Sequence, residues 1–221
     1  PPAVIASEDF PATAQGGPVT HPSLSPRISP FVTDKQALRA ELRARRREHA
    51  ETLPATVRAL VLMRPPRPLA ELIPAGASVG LYHAAPGEAP TGGYARWLFE
   101  AGHALALPWF ADRTAPMQFR SWDNPHVDEL LEPAPWGSLQ PRGDAAPITP
   151  DVLIVPLVGF TAQGQRLGQG GGHYDRYLAA HPHVLPIGLA WDCQLVDELP
   201  VEPHDIALKG VVTPTRFYGP F

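Results

Sequence analysis

The sequence predicts an α/β fold in a single domain: a mostly parallel sheet flanked by helices on both faces, the three-layer α/β/α arrangement of Rossmann-like proteins. Short apolar runs alternate with segments of helical period, as expected when helices connect parallel strands. The segment 152–158 is apolar throughout, which is typical of a strand buried on both faces. A chain of 221 residues suffices for one such domain with a sizeable core.

The first predicted helix carries a basic face. Asp34 can cap its N-terminus, and the helical pattern continues to about residue 51. Lys35, Arg39 and Arg43 recur at steps of four, so they lie on one side of the helix, beside an apolar stripe. On charge alone, this face is either solvated or a surface for RNA or acidic lipid.

The remaining elements follow from the same patterns. A second helix is predicted over 55–63 and ends before the proline cluster 65–68, because proline removes a helix hydrogen bond. Further helices are predicted over 94–100, where Gly102 ends the helix, and over 174–180. Strands are predicted at 78–82, 103–110, 117–122, 152–158, 184–190 and 206–213, with the rest of 112–144 mostly loop.

Several aromatic residues fall where a predicted strand ends. Ligands on open α/β sheets bind beyond the carboxyl ends of the strands. We therefore predict that a single cleft collects the aromatic side chains at these ends: Tyr82, Trp109, Phe160 and Trp191.

Composition restricts the cellular setting. The net charge of −4 argues against a global basic field that attracts nucleic acid. The single cysteine, Cys193, excludes an intramolecular disulfide and fits a reducing compartment. No apolar run reaches the roughly 18 residues of a membrane span. We expect a cytoplasmic monomer without nucleic-acid or membrane partners, in which residues 1–33, with seven prolines, form a flexible extension.

The segment from Val155 to Asp175 carries the clearest chemical pattern. An apolar strand leads through a turn to Arg166, four glycines follow within positions 168–172, and an aromatic residue and a carboxylate open the next helix. Glycines let backbone N–H groups approach phosphate oxygens, and a helix N-terminus adds positive potential. The loop lacks the Gly-Lys-Ser/Thr of a Walker loop, and His173 breaks the G-x-G-x-x-G pattern. A tight structural corner is the alternative interpretation.

Two charged residues flank these glycines. The planar fork of Arg166 suits a phosphate, and a structural pair with a carboxylate is the alternative interpretation. The carboxylate of Asp175 suits Mg²⁺, which prefers hard oxygen ligands. Its alternative role is that of an acid in the first turn of a helix.

The segment 151–178 resembles the signature of the 5-formyltetrahydrofolate cyclo-ligase family. That family ends an apolar strand with Pro-x-x-x-Phe-Asp-x-x-Gly and continues with Arg-Leu-Gly-x-Gly-x-Gly-Tyr-Tyr-Asp. Thr161 replaces the aspartate and His173 replaces the first tyrosine. The matching positions are Pro156, Phe160, Gly164, Arg166, Leu167, Gly168, Gly170, Gly172, Tyr174 and Asp175.

The resemblance continues in collinear order over roughly residues 34–215. Lys209 stands where an aspartate is common in the family. The further similar segments are Lys35 to Arg39, Tyr82, Glu88 to Thr91, Met117 to Phe119, Glu132-Pro133, Trp136, His204-Asp205 and Val211 to Thr213. The resemblance implies one cyclo-ligase-like domain over 34–221.

The resemblance implies an ATP- and Mg²⁺-dependent enzyme that converts 5-formyltetrahydrofolate to 5,10-methenyltetrahydrofolate, releasing ADP and phosphate. An N5 iminium phosphate is the implied intermediate. Three residues are implied in catalysis: Arg166, Tyr174 and Asp175. If Asp175 holds the metal, Asp175→Ala is expected to abolish turnover and leave the fold intact.

The same resemblance assigns binding residues. ATP is expected to contact Lys35, Arg39, Arg166, Leu167, Gly168, Gln169, Gly170, Gly171, Gly172, His173 and Tyr174. Folate is expected to contact Tyr82, Glu88, Trp136, Gly170, Gly172 and Tyr174. The expected metal ligands are Asp175 and Asp205. The other arginines of the first helix, Arg43, Arg45, Arg46 and Arg47, are expected to be mostly solvated.

Three alternatives stay open. A non-catalytic folate- or nucleotide-binding protein would be expected to lack the metal carboxylates, and both are present. Another enzyme on the same α/β scaffold remains compatible with the fold alone. An RNA-binding module would need a basic patch beyond the first helix together with exposed aromatic residues.

Overall fold

The computed structural model describes residues 34–221, so the predicted flexible extension 1–33 lies outside the described residues. The α-helices are α1 Lys35–Thr52, α2 Ala55–Leu60, α3 Arg67–Leu72, α4 Gly92–Glu100 and α5 His173–Ala180. The strands are β1 Val79–Gly80, β2 Leu105–Trp109, β3 Gln118–Ser121, β4 Leu131–Pro133, β5 Leu139–Pro141, β6 Val152–Pro156, β7 Gly159–Phe160, β8 Arg166–Leu167, β9 Leu185–Leu189, β10 Gly210–Val212 and β11 Phe217–Tyr218. Short 3₁₀ turns occupy Asp128–Leu130 and Asp192–Gln194.

Seven strands form the central sheet, in the order β11-β10-β9-β6-β1-β2-β3. The inner pairs β10–β9, β9–β6, β6–β1 and β1–β2 are parallel. The edge pairs β2–β3 and β10–β11 are antiparallel. The mostly parallel sheet predicted from the alternating pattern is therefore confirmed.

Helices pack on both faces of this sheet because the side chains of a strand alternate between faces. Ile154 of β6 joins the core cluster that contains Leu98 of α4. Val155, the next residue, joins the cluster on the other face, which contains Leu178 of α5. Both faces of β6 are buried, as its continuous apolar run predicts.

Helix α1 packs against the segments that follow β6 and β9 at the carboxyl edge of the sheet. The Asp34 carboxylate accepts a hydrogen bond from the Gln36 N–H at 2.8 Å, which confirms the predicted cap. Leu38 and Leu42 pack in a third apolar cluster with Leu167 of β8. This packing brings the basic side of α1 to the glycine-rich segment that follows β8.

The proline cluster differs from the prediction. Helix α2 ends at Leu60, three residues before the predicted end, and α3 then begins at Arg67 with Pro68 in its first turn. Proline is accepted at the start of a helix, where its missing N–H would have no partner. The cluster therefore separates two helices instead of only ending one.

Short strands were missed where pairing is local. The hairpin β4–β5 lies within the segment predicted to be mostly loop. The last predicted strand, 206–213, pairs only over β10, and the chain returns as β11. The small β7–β8 ladder joins the end of the buried strand β6 to the start of the glycine-rich segment.

Among residues 34–221, no helix is long and apolar enough to cross a bilayer.

Candidate active site

A cavity of about 820 Å³ opens at the carboxyl edge of the sheet. Pro108 of β2, Tyr82 after β1 and Pro156 of β6 line it, as expected for a site beyond the ends of parallel strands. Every residue predicted to contact ATP, folate or metal also lines this cavity, from Lys35 to Asp205. The structure thus brings the whole predicted set together.

The aromatic residues at the strand ends do not gather as predicted. Of the four, only Tyr82 lines the cavity. Phe160 and Trp191 are buried in the core, and Trp109 lies under the Arg120 guanidinium, 3.9 Å from its ring centroid. Phe160 and Trp191 pack in the apolar clusters and Arg120 covers Trp109, so these three rings do not face the cleft.

The glycine loop, residues 168–172, connects β8 to α5. Gly170 has φ of +104° and Gly172, which precedes α5, has φ of +63°, so both positions favour glycine. Arg39 of α1 donates from Nε to the Gly168 carbonyl at 3.0 Å, and Arg43 donates from Nη2 to the Gln169 carbonyl at 2.7 Å. Two arginines of α1 therefore bind the loop through its backbone carbonyls.

Arg166, which precedes the glycine loop, and Asp175, which follows it, form an ion pair. Arg166 Nη2 lies 2.5 Å from Asp175 Oδ1, with side-chain exposures of 3% and 16%. The Ile206 N–H donates to the same oxygen at 3.1 Å. Arg166 Nε is buried and has no hydrogen-bond partner among residues 34–221. Arg166 therefore makes the carboxylate pair that was its alternative interpretation. Its Nε donor is not used by that pair.

This ion pair alters one expectation. Replacing Asp175 by alanine would leave the Arg166 charge buried without its partner, and such a loss is strongly destabilising. The expectation that Asp175→Ala leaves the fold intact therefore does not suit this geometry, and asparagine is the better test.

The acidic cluster, Glu202, His204 and Asp205, lies at the start of α1. Lys35 Nζ donates to Glu202 Oε2 at 2.5 Å and to Asp205 Oδ2 at 2.8 Å. One ligand atom from each member of the cluster lies within 4.8 Å of the others. Sequence reasoning missed Glu202, for which the available signal was an acid three residues before Asp205 in a proline-rich turn.

The Lys35 ammonium and the two carboxylates of this cluster, Glu202 and Asp205, keep one another charged. Burial lowers the pKa of Lys35, but its hydrogen bonds to Asp205 and Glu202 outweigh burial, so the pKa is raised. Burial raises the pKa of Asp205, but the hydrogen bonds from Lys35 and from the Glu202 N–H, together with the charge of Lys35, outweigh burial, so this pKa is lowered. The carboxylates are therefore ionised at neutral pH, and the cation that they bind in this structure is the Lys35 ammonium.

Glu88 lies in the turn after β1 and accepts three hydrogen bonds. Its Oε2 accepts from the Ala85 N–H at 3.0 Å. Its Oε1 accepts from Gln169 Nε2 at 2.9 Å and from Arg46 Nη1 at 3.4 Å. The carboxylate therefore links the turn after β1, helix α1 and the glycine loop.

Arg46 is not solvated as predicted. It is 8% exposed and pairs with Glu88, and it also donates to the Leu157 carbonyl at 3.4 Å. Arg43 is likewise engaged, with Nε donating to Gln169 Oε1 at 3.0 Å. The missed signal is periodicity, because Arg46 follows Leu42 by four residues and continues the buried stripe of α1.

An aromatic wall, formed by Phe110, Trp136 and His173, borders the cavity. The ring centroids lie 5.1 Å apart for Phe110 and His173, and 5.8 Å apart for Trp136 and His173. Burial, and secondarily the charge of Arg176, lowers the pKa of His173. Phe110 was missed, and its backbone is fixed by the Gln140 side chain, which bonds both the N–H and the carbonyl of Phe110 at 3.1 and 3.3 Å.

Two tyrosines line the cavity as neutral phenols. Burial raises the pKa of Tyr82 and of Tyr174, and the Glu88 carboxylate adds to both shifts. The Tyr82 hydroxyl donates to the Ala89 carbonyl at 2.7 Å. Neither tyrosine is therefore suited to act as a base near neutral pH.

The departures from the family pattern have local consequences. The buried Thr161 hydroxyl accepts from the Gln163 N–H at 3.4 Å and from the Gln165 N–H at 3.3 Å, so it still pins the turn before Arg166. Lys209 is exposed and does not line the cavity.

The fold and cavity define a single-domain α/β protein with its site between a glycine loop and a basic helix. Residues 32–214 match the 5-formyltetrahydrofolate cyclo-ligase family, and the chain belongs to that family. This match confirms the resemblance found in the motifs.

Individual relatives agree with this membership. The chain is 51% identical over 85 residues to the 5-formyltetrahydrofolate cyclo-ligase of Escherichia coli (strain K12), covering 36% of this chain and 47% of that protein. It is 42% identical over 87 residues to the cyclo-ligase of Mycolicibacterium smegmatis, covering 38% and 41%. These matches thus span about half the length of the curated relatives or less.

A solved structure shares the fold. The NMR structure of Aquifex aeolicus 5,10-methenyltetrahydrofolate synthetase superposes with a TM-score of 0.61 at 23% identity, covering 84% of this chain and 92% of that one. At this level of identity, the likeness supports the fold assignment.

Proposed function

We propose that this protein converts 5-formyltetrahydrofolate to 5,10-methenyltetrahydrofolate, with ATP cleaved to ADP and phosphate. The observation that carries the proposal is that one cavity is lined by a glycine loop with basic side chains, an acidic cluster and an aromatic wall beside a carboxylate. These are the three parts that an ATP-dependent reaction of a folate needs. Family membership favours this reaction over others on the same scaffold.

The triphosphate is assigned to the glycine loop. Phosphoryl transfer requires that the phosphate be held in line and that its charge be offset. Lys35, Arg39 and Arg166 supply positive charge around the cavity, and the backbone N–H groups of the loop, with the start of α5, supply further donors. The rest of the expected set, from Leu167 to Tyr174, then lines the phosphate path.

The residues present fit a magnesium ion. Glu202 and Asp205 already converge on one cation, the Lys35 ammonium, and ionised carboxylates are the ligands that Mg²⁺ prefers. We assign the ion to Asp205 and Asp175, with Glu202 as a further oxygen donor. When bound, the ion offsets triphosphate charge.

The folate is assigned to the opposite side of the cavity. Glu88 would accept hydrogen bonds from pterin N–H groups, since carboxylates bind such planar donor edges well. Tyr82, Trp136 and Tyr174 offer aromatic faces, and Gly170 and Gly172 allow close approach of the loop. This arrangement would place the folate between Glu88 and the glycine loop.

The proposed reaction has two steps. The N5-formyl oxygen attacks the γ-phosphorus, the bond from this phosphorus to the β–γ bridging oxygen breaks, and ADP leaves. The folate N10 then attacks the iminium carbon, the carbon–oxygen bond to phosphate breaks, and N10 loses its proton. Arg166, Asp175 and Tyr174 serve as positioning and charge-stabilising groups. Tyr174 is not assigned as a base, because its pKa is raised.

An absorbance assay tests the proposal. Purified protein is mixed with 5-formyltetrahydrofolate and Mg-ATP, formation of the methenyl product is followed, and ATP is omitted in the control. ATP-dependent product supports the proposal. Folded protein that binds folate and nucleotide but yields no product would favour a non-catalytic binding protein, and failure to bind folate would favour another enzyme on this scaffold.

The setting of the enzyme is a separate proposal. We infer a cytoplasmic monomer that binds neither nucleic acid nor membrane. The engagement of Arg43 and Arg46 within the domain supports this inference, because the basic side of α1 then offers less free charge. Light scattering after gel filtration measures the mass, and a nucleic-acid retention assay at low salt tests the charge argument.

A further inference from the structure

Glu88 has fewer free acceptor positions than its proposed ligand needs. An ionised carboxylate offers about four acceptor positions. Three are used by protein donors, namely the Ala85 N–H, Arg46 Nη1 and Gln169 Nε2. A pterin edge presents two adjacent N–H donors. On the proposed function, on which this inference rests, one of the three protein donors must leave Glu88 when folate binds.

The three donors differ in how readily they can leave. The Ala85 donor is a backbone N–H in the same turn as Glu88, three residues away. Arg46 is buried and also bonded to the Leu157 carbonyl, so its departure would leave a buried charge without its carboxylate. Gln169 is exposed and belongs to the glycine loop, so its amide can turn to water at little cost.

Arg43 orients the Gln169 side chain toward Glu88 and also ties the loop backbone to α1. Its Nε donates to Gln169 Oε1, and its Nη2 donates to the Gln169 carbonyl. The loop can therefore give up Glu88 and remain attached to α1. Only the Gln169 amide nitrogen has to exchange its partner.

We propose that Gln169 is an exchangeable latch between the glycine loop and Glu88, and that the N–H groups of a bound pterin displace its amide. Arg46 is then a positioning residue, which keeps Glu88 in place while the latch opens. Gln169 thereby lowers the affinity for folate in the absence of nucleotide. Binding of folate at Glu88 would also release the glycine loop, to which the ATP phosphates are assigned.

Calorimetric titration of 5-formyltetrahydrofolate without nucleotide tests this proposal. Because a competing hydrogen bond is removed, Gln169→Ala should bind folate about fivefold more tightly than the unmodified protein. Arg43→Gln should shift the affinity in the same direction by less, since it loosens the latch without removing it. Arg46→Gln should weaken binding. The matched control is Gln163→Ala, an exposed glutamine outside the cavity, which should change nothing.

The direction in which Gln169→Ala changes folate affinity separates a latch from a merely structural role. With a merely structural role, the variant would bind folate as well as the unmodified protein or less tightly. Either of these results overturns the latch. The proposed function stands or falls on a different measurement, the binding and turnover of folate by the unmodified protein. If that protein fails to bind folate at all, both the proposed function and the latch are wrong.

Discussion

Two substitutions of Asp175, by alanine and by asparagine, should separate the effect of its charge from the effect of its hydrogen bonds. Asp175→Ala deletes the partner of a guanidinium that is only 3% exposed, together with the acceptor for the Ile206 N–H. Asp175→Asn keeps an oxygen in the same place, which can still accept from both donors. The two variants therefore differ in whether a buried donor set is left unsatisfied.

The magnitude follows from this burial. Breaking a buried ion pair by removing one partner costs about 3–5 kcal/mol. For a domain of this size, each kcal/mol lowers the melting temperature by about 2–4 °C, so Asp175→Ala should melt roughly 6–20 °C lower. Asp175→Asn also leaves the Arg166 charge without an anionic partner but keeps both hydrogen bonds, so it should cost less, about 1–3 kcal/mol, and should melt roughly 2–12 °C lower.

Calorimetric melting of both variants, alongside the methenyl-product assay, checks the argument. Both variants should lose most of their turnover, because neither carries the metal-binding carboxylate that the proposed function needs. If Asp175→Ala melts within about 2 °C of the unmodified protein, the ion pair is not buried in the sense argued. If Asp175→Asn keeps near-normal turnover with Mg-ATP, the assignment of the metal to Asp175 is wrong.

Further predictions concern pH and the turn before Arg166. Because the pKa of Asp205 is lowered, its contribution to folding stability is present above the unfolded pKa of about 3.9 and is lost as pH falls through the folded value. Because the pKa of Lys35 is raised, its contribution to folding stability is lost only as pH rises above about 10.4. Acid unfolding curves of Lys35→Met should therefore fall less steeply below pH of about 4. His173 should titrate below its usual pKa in an NMR titration, and Arg176→Gln should raise that pKa only in part, because burial is the larger cause. Thr161→Val should cost about 1 kcal/mol in urea unfolding, and a cost near zero would show that its hydroxyl does not pin the turn.

Local periodicity accounts for the parts of the fold that could be predicted. The continuous apolar run of β6 and the four-residue spacing on α1 are properties of neighbouring positions, so both elements and the Asp34 cap could be predicted from sequence. The hairpin β4–β5 and strand β11 are two or three residues long, which is too short for a period to appear. Their pairing depends on neighbours that the pattern does not contain.

The misplacement of Arg46 has a different cause. A charged residue in an apolar stripe is ordinarily taken as the edge of that stripe, since an unpaired buried charge is costly. Here the partner is Glu88, 42 residues further along the chain. Only the tertiary fold brings this carboxylate to the stripe, so helical period alone could place Arg46 on the buried side but could not supply the reason for its burial.

The ion pair between Arg166 and Asp175 has consequences for how both residues can take part in the proposed reaction. A guanidinium has five N–H donors, and only Nη2 contacts Asp175. Nε has no partner among the described residues, and Nη1 lies toward Gly168, where an added Cβ would come within 3.2 Å of it. Arg166 can therefore keep Asp175 and still present donors to the loop. Because Asp175 Oδ1 already accepts from two groups, the proposed cation would bind the other carboxylate oxygen, and the proposed phosphate and metal would then contact opposite members of one ion pair.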